Sequence, residues 1–133
     1  MSKHETPMTL WYWEKVGGIL IEEFMVVPKS SGACRRLVDG IIIKSTKKER
    51  MPIGSRPSLE GKDVIVIQAK NAKLGMNLMG QTLFSRELVM KFKPRSVISI
   101  ALCSQNDEVL GPMLEAHDGC KVVICPKVIA RTG

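Results

Sequence analysis

The stretch that most constrains this chain is Asp63-Val64-Ile65-Val66-Ile67-Gln68-Ala69-Lys70. Four β-branched residues in a row, opened by Gly61 and Asp63, predict a buried strand. Side chains alternate along a strand, so Gln68 and Lys70 share one face and Ala69 points to the other. A buried strand has no need of those two polar groups. They either mark its emergence at the surface or carry chemistry. A second apolar run lies upstream, Leu37-Val38-Asp39-Gly40-Ile41-Ile42-Ile43, with a single acid at its centre.

The chain of 133 residues is long enough for one domain, 1–133, with its own core. Its apolar fraction of 44% is that of a globular protein rather than a disordered one. Uninterrupted apolar runs fall far short of a membrane span, and residues 1–14 lack a charged-then-apolar signal layout, so the expectation is a cytoplasmic protein with no membrane partner. The cysteines fit that expectation. Cys103 and Cys125 sit in apolar runs, and the set Cys34, Cys103, Cys120 and Cys125 lacks paired zinc spacing; Cys120 and Cys125 beside His117 are a remote metal signal. A net charge of +7 makes a phosphate backbone a suitable partner, provided the cations cluster.

Thr6-Pro7 predicts the start of a helix running to about Leu20, with Leu10, Trp13 and Leu20 on its inner stripe and Glu14 beside that stripe. Gly17-Gly18 sits badly inside it: either the helix packs very closely there or it ends early. Strands are expected over 22–27 and 35–44, the second carrying Asp39. A polar connection, 45–62, follows with Lys47, Lys48, Arg50 and Arg56; its length suggests function or mobility. After the 63–70 strand come a helix over 78–92 with Leu78, Leu83 or Phe84, Leu88 and Phe92 inward, a strand over 96–102, a helix over 107–116 and a strand over 121–125. This order predicts an α/β sandwich around a mixed sheet.

Phosphodiester hydrolysis needs a positioned water and compensation of charge on the phosphoryl oxygens. Asp39 can ligate a hard divalent cation, with the Gln68 side-chain oxygen and the Ala69 carbonyl as further oxygen ligands. Lys70, on the Gln68 face, can orient the water or stabilise developing charge. Glu14 or Glu23 could complete the set. Arg35 and Arg36 lie near the site, and Lys47, Lys48, Arg50 and Arg56 are the loop candidates for phosphate contact.

Asp39 on one strand, Gln68-Ala-Lys70 on the next, an acid-bearing helix before them and a long helix after resemble the PD-(D/E)xK nuclease superfamily over nearly the whole chain. Arg35-Arg36-Leu-Val-Asp39-Gly40 with Gln68-Ala-Lys70 is similar to the Gln-x-Lys variant found in Mrr-like restriction endonucleases. Gly80-Gln81 resembles that variant's supporting glutamine, which could contact DNA or the site. The resemblance implies a restriction-endonuclease-like three-layer sandwich with a central mixed β-sheet. It also implies Mg2+ or Mn2+ as cofactor, DNA as substrate, and a homodimer where both strands are cut. Gln68 stands where the common pattern has an acid, and no separate recognition domain is evident. The alternatives are a catalytically inactive nuclease-fold module that binds nucleic acid or protein, and an unrelated α/β domain.

Overall fold

The computed structural model describes residues 5–126. The elements run α1 (Glu5–Val16), β1 (Ile19–Val27), β2 (Arg36–Ile43), β3 (Glu49–Arg50), β4 (Asp63–Lys73), α2 (Met76–Met90), β5 (Ser96–Gln105), α3 (Leu110–Glu115) and β6 (Cys120–Ile124). The six strands form one mixed sheet in the order β3-β1-β2-β4-β5-β6. β2 is antiparallel to both β1 and β4, while β4, β5 and β6 run parallel with α2 and α3 as their connections.

The alternation in β4 explains why its apolar run is unbroken. Ile65 and Ile67 pack with Leu20, Ile42 and the α1 residue Met8 on one face. Val64 and Val66 pack with Ile41, Ile43 and the α2 residue Val89 on the other. A strand covered on both faces loses the polar half of its pattern, and each such side chain contributes roughly 1.5–3 kcal/mol by leaving water. Helix α1 therefore covers one face of the sheet, and α2 and α3 cover the other, where Leu78 and Leu114 meet Ala101 and Cys103.

Three sequence expectations shift. Helix α1 stops at Val16, because Gly17 and Gly18 both take positive φ (+71° and +85°). A Cβ on Gly18 would lie 2.7 Å from the Ile43 carbonyl oxygen, so the turn admits no side chain. Leu20 accordingly belongs to β1 and not to the helix. In α2 the buried stripe is Leu78, Thr82, Ser85 and Val89, leaving Phe84 65% exposed. Polar residues tolerate that phase because they are bonded: the Thr82 hydroxyl donates to the Leu78 carbonyl (2.8 Å), and the Ser99 hydroxyl donates to the Thr82 carbonyl (2.7 Å). The 45–62 connection is pinned: β3 pairs with β1, the Gly54 N–H reaches the Glu22 carbonyl, and Leu59 is buried.

The sheet is irregular around Glu23 and Asp39. In β1, Ile21 and Phe24 both enter the α2-side core although they are three residues apart; in β2, Ile41 and Val38 do the same. Strict alternation would send one of each pair to the opposite face. Both strands re-phase between those residues, where the β1–β2 ladder skips from Glu22↔Gly40 to Phe24↔Val38 and Glu23 has φ +55°. Glu23 and Asp39, opposite each other in that register, are both left out there; further register shifts lie between Met25 and Val27 and, in β4 against β5, between Lys70 and Lys73.

Candidate active site

The β2–β4 register reaches Gly40↔Ile67 and stops. One step further, Asp39 and Gln68 would face each other, and here side chains take over from backbone pairing. The Ala69 N–H donates to Asp39 Oδ2 at 2.8 Å. Gln68 is buried, and its Nε2 donates to Ser85 Oγ at 2.6 Å. That bond explains why Ser85 belongs to the inward stripe of α2. Among the described residues, no buried side-chain nitrogen or oxygen lacks a hydrogen-bond partner. Gln68 Oε1 and Asp39 Oδ1 have no hydrogen-bond partner among the described residues, so both oxygens open outward.

They open into a cavity of about 740 Å³ between α2 and the ends of β2 and β4. Asp39, Gln68, Ala69 and Lys70 line it together, with Arg35, Arg36 and Gln81 around them. Gln81 reaches it from α2, one turn before Ser85. Among the described residues, Lys70, Arg35 and Arg36 are exposed with no acid within ion-pair distance. No described cation lies within ion-pair distance of Asp39 either. Burial pushes the Asp39 carboxyl up, the Ala69 N–H and then the positive charge of the chain's amino terminus pull it down, and the carboxylates of Glu5 and Glu23 push it up. The cavity thus holds a carboxylate raised by burial, with Arg35, Arg36 and Lys70 on the same cavity but outside ion-pair contact with it.

The acid supplied by α1 is not Glu14. That residue is exposed at the far end of the helix and forms an ion pair with Lys48. Glu5, at the start of α1, lines the cavity instead, and its Oε2 accepts the Asn71 N–H at 3.4 Å. Starting the helix at Thr6-Pro7 hides Glu5, because the acid then falls outside the element. Glu23 sits beside Asp39 on β1 and acts on its charge without lining the cavity.

The loop cations lie elsewhere. Lys47 pairs with Glu49, Lys48 with Glu14, and Arg50 Nε with the buried Glu22 at 2.7 Å. Lys48 also lies over the Trp13 ring. None of these three lines the cavity, and neither does Arg56. Among the described residues, no group of three or more His, Cys, Asp or Glu side chains is placed to hold a metal ion, which includes His117 with Cys120 and Cys125.

No protein-family model, curated protein or solved structure matches this chain. Among the described residues, no helix is long and apolar enough to cross a membrane.

Proposed function

We propose that this cavity is the site of a metal-dependent phosphodiester hydrolase acting on DNA, built on a restriction-endonuclease-like sheet with the Gln-x-Lys variant of the PD-(D/E)xK motif. The observation that carries the reading is the meeting of Asp39, Gln68 and Lys70 on one cavity, with two side-chain oxygens that have no hydrogen-bond partner among the described residues.

The donor set suits Mg2+ or Mn2+. Magnesium commonly keeps several waters and takes only one or two carboxylates from the protein, adding substrate phosphate oxygens. Asp39 Oδ1 and Gln68 Oε1 are hard oxygen donors of that kind, and Ala69 could add its carbonyl. Glu5 stands in the same cavity and Glu23 adjoins Asp39, so further carboxylates lie near the proposed cation. When bound, the cation would offset charge on the phosphoryl oxygens and lower the pKa of a coordinated water.

The chain's own residues do the rest. The Ala69 N–H fixes the Asp39 carboxylate, and Ser85 fixes the Gln68 amide so that its oxygen faces the cavity. Lys70, on the face it shares with Gln68, holds the attacking water or stabilises charge on the scissile phosphate. Arg35 and Arg36 bind flanking phosphates. A single cavity cuts one strand, so cutting a duplex through would take two copies.

The test is nicking of a supercoiled plasmid. The wild type should nick with Mg2+ or Mn2+, a chelator should stop it, and Lys70→Ala should abolish it. Gln68→Glu adds a negative charge beside Asp39 and should raise metal affinity. Cleavage by Gln68→Glu alone would make the natural chain a silenced nuclease fold. Absence of cleavage in both forms, with salt-dependent DNA binding kept, would favour the inactive binding module.

A further inference from the structure

Two smaller cavities adjoin the first. One, of about 580 Å³, is formed by the β1–β2 connection from Lys29 to Arg36 and shares Arg35 and Arg36 with the main cavity. The other, of about 450 Å³, lies at the start of α2 and shares Lys70 and Gln81. The shared side chains make one groove running from Lys29 through the Asp39 cavity to Gly75 and Met76. Among the described residues, four of its cations, Lys29, Arg35, Arg36 and Lys70, have no acid within ion-pair distance. A continuous row of free cations suits a polymeric anion better than a small one.

The main cavity also has an apolar wall: Val26, Leu37, Val38, Phe84 and Leu88. Phe84 is 65% exposed on the α2 face that carries Gln81 and Ser85. A duplex presents sugar and phosphate to a protein and keeps its base faces stacked inside, so such a wall would find little to cover. An unpaired strand presents phosphates to cations and base faces to aromatic side chains together.

We infer that the groove takes single-stranded DNA, with the backbone along Lys29, Arg35, Arg36 and Lys70 and one base stacked on Phe84 where the strand passes Asp39. This rests on the cavity being a phosphodiester site and names the form of its substrate. Phe84, inside the helix at a position that packing leaves exposed, selects unpaired over paired DNA.

Fluorescence anisotropy in a chelator, where nothing is cut, tests it with a labelled oligothymidylate and a hairpin duplex of equal length. The single strand should bind more tightly. Phe84→Ala should weaken it about tenfold, the scale of one stacked base, and leave the duplex unchanged. Phe84→Trp should restore single-strand binding. Lys29→Ala should lower the salt slope for the single strand by about 0.7. Since Phe84 is exposed, its replacement does not threaten the fold. Equal or tighter binding of the duplex, with Phe84→Ala neutral for both probes, overturns the proposal. Plasmid nicking alongside that result would leave the hydrolase reading standing without it. Phe84-dependent single-strand binding in a protein that fails to cut DNA with any divalent cation would keep the groove and remove the hydrolase.

Discussion

Two aspartates on neighbouring strands show what separates the two ends of this sheet. Asp63, at the start of β4, is met by the Arg95 guanidinium through both oxygens and accepts the Ser96 hydroxyl at 2.6 Å. Those bonds, Arg95 first, hold its carboxyl well below the usual carboxylate range. Asp39, alongside β4 at Ala69, has one backbone N–H, no described cation within ion-pair distance, and a carboxyl pushed up by burial. One carboxylate is complete within the fold and ties β4 to β5. The other is held in place by the Ala69 N–H, in a cavity that Arg35, Arg36 and Lys70 also line. The same contrast runs through the basic residues. Lys47, Lys48 and Arg50 are each matched to an acid, whereas Arg35, Arg36 and Lys70 are not. Net charge alone does not locate a binding surface.

The largest expected effect divides the ends by chemistry. Lys70→Ala should lower the cleavage rate by about 10²–10³-fold, the scale for removing one transition-state donor, with DNA affinity changed far less. Arg95→Ala, at the Asp63 end, should leave the rate within about twofold. Equal losses in the two variants, measured by single-turnover cleavage, would erase the distinction.

Next in size is the support beneath the cavity. Ser85→Ala strands the Nε2 of buried Gln68, which should cost about 1–3 kcal/mol in urea denaturation. The Gln68→Leu and Ser85→Ala double variant should recover part of that loss, because the orphaned donor is gone. Strict additivity of the two changes would mean that the bond does not position the amide.

Acid-base behaviour should differ in sign. Asp63 has a depressed folded pKa, so its contribution to stability is present above the unfolded carboxylate pKa, near 4, and is lost as pH falls through the folded value. Asp39 has a raised folded pKa; its contribution is present below the unfolded value and lost as pH rises through the folded one. Asp63→Asn should therefore flatten the acid limb of a stability profile. Asp39→Asn should instead raise stability at neutral pH in a chelator. Salt should screen the exposed Asp63 pair and leave the half-buried Asp39 effect in place. Two profiles of the same sign would break the comparison.

The smallest effect concerns the cysteines. Cys34, exposed beside Arg35, should label rapidly, while Cys103, Cys120 and Cys125 are buried and should not; burial pushes the Cys125 thiol up to about 11. Single-stranded DNA should slow Cys34 labelling severalfold by covering the groove.

Much of the sheet was legible in the sequence because period-2 patterning and β-branched runs report burial directly. The mixed α/β order, the strand around Asp39 and the shared face of Gln68 and Lys70 all follow from it. The expected link after Lys70 is in fact the last part of β4, which polar residues such as Asn71 and Lys73 disguise. The phase of α2 was legible in part: Leu78, Leu83, Leu88 and Phe92 pack against the core as their spacing predicts, whereas Ser85 faces inward because Gln68 bonds it, a relation across 17 residues that no hydrophobic stripe records. Glu5 replaced Glu14 in the cavity because the entry angle of α1 is set by packing, not by periodicity. The break at Glu23 and Asp39 has no composition signal, since Glu23, the residue that takes the positive φ, is not a type that favours it. Lys48 and Arg50 looked free because their acids, Glu14 and Glu22, come from α1 and β1, which only the fold brings to the loop; Lys47 meets Glu49 two residues along the same connection.

The most direct measurement is Mn2+ binding followed by electron paramagnetic resonance at neutral pH, on the wild type, Asp39→Asn and Asp63→Asn. The wild type and Asp63→Asn should each quench the free Mn2+ signal to the extent of one bound ion per chain, and Asp39→Asn should not. Equal binding by all three proteins, or none by the wild type, would contradict the assignment of the Asp39 cavity as a cation site.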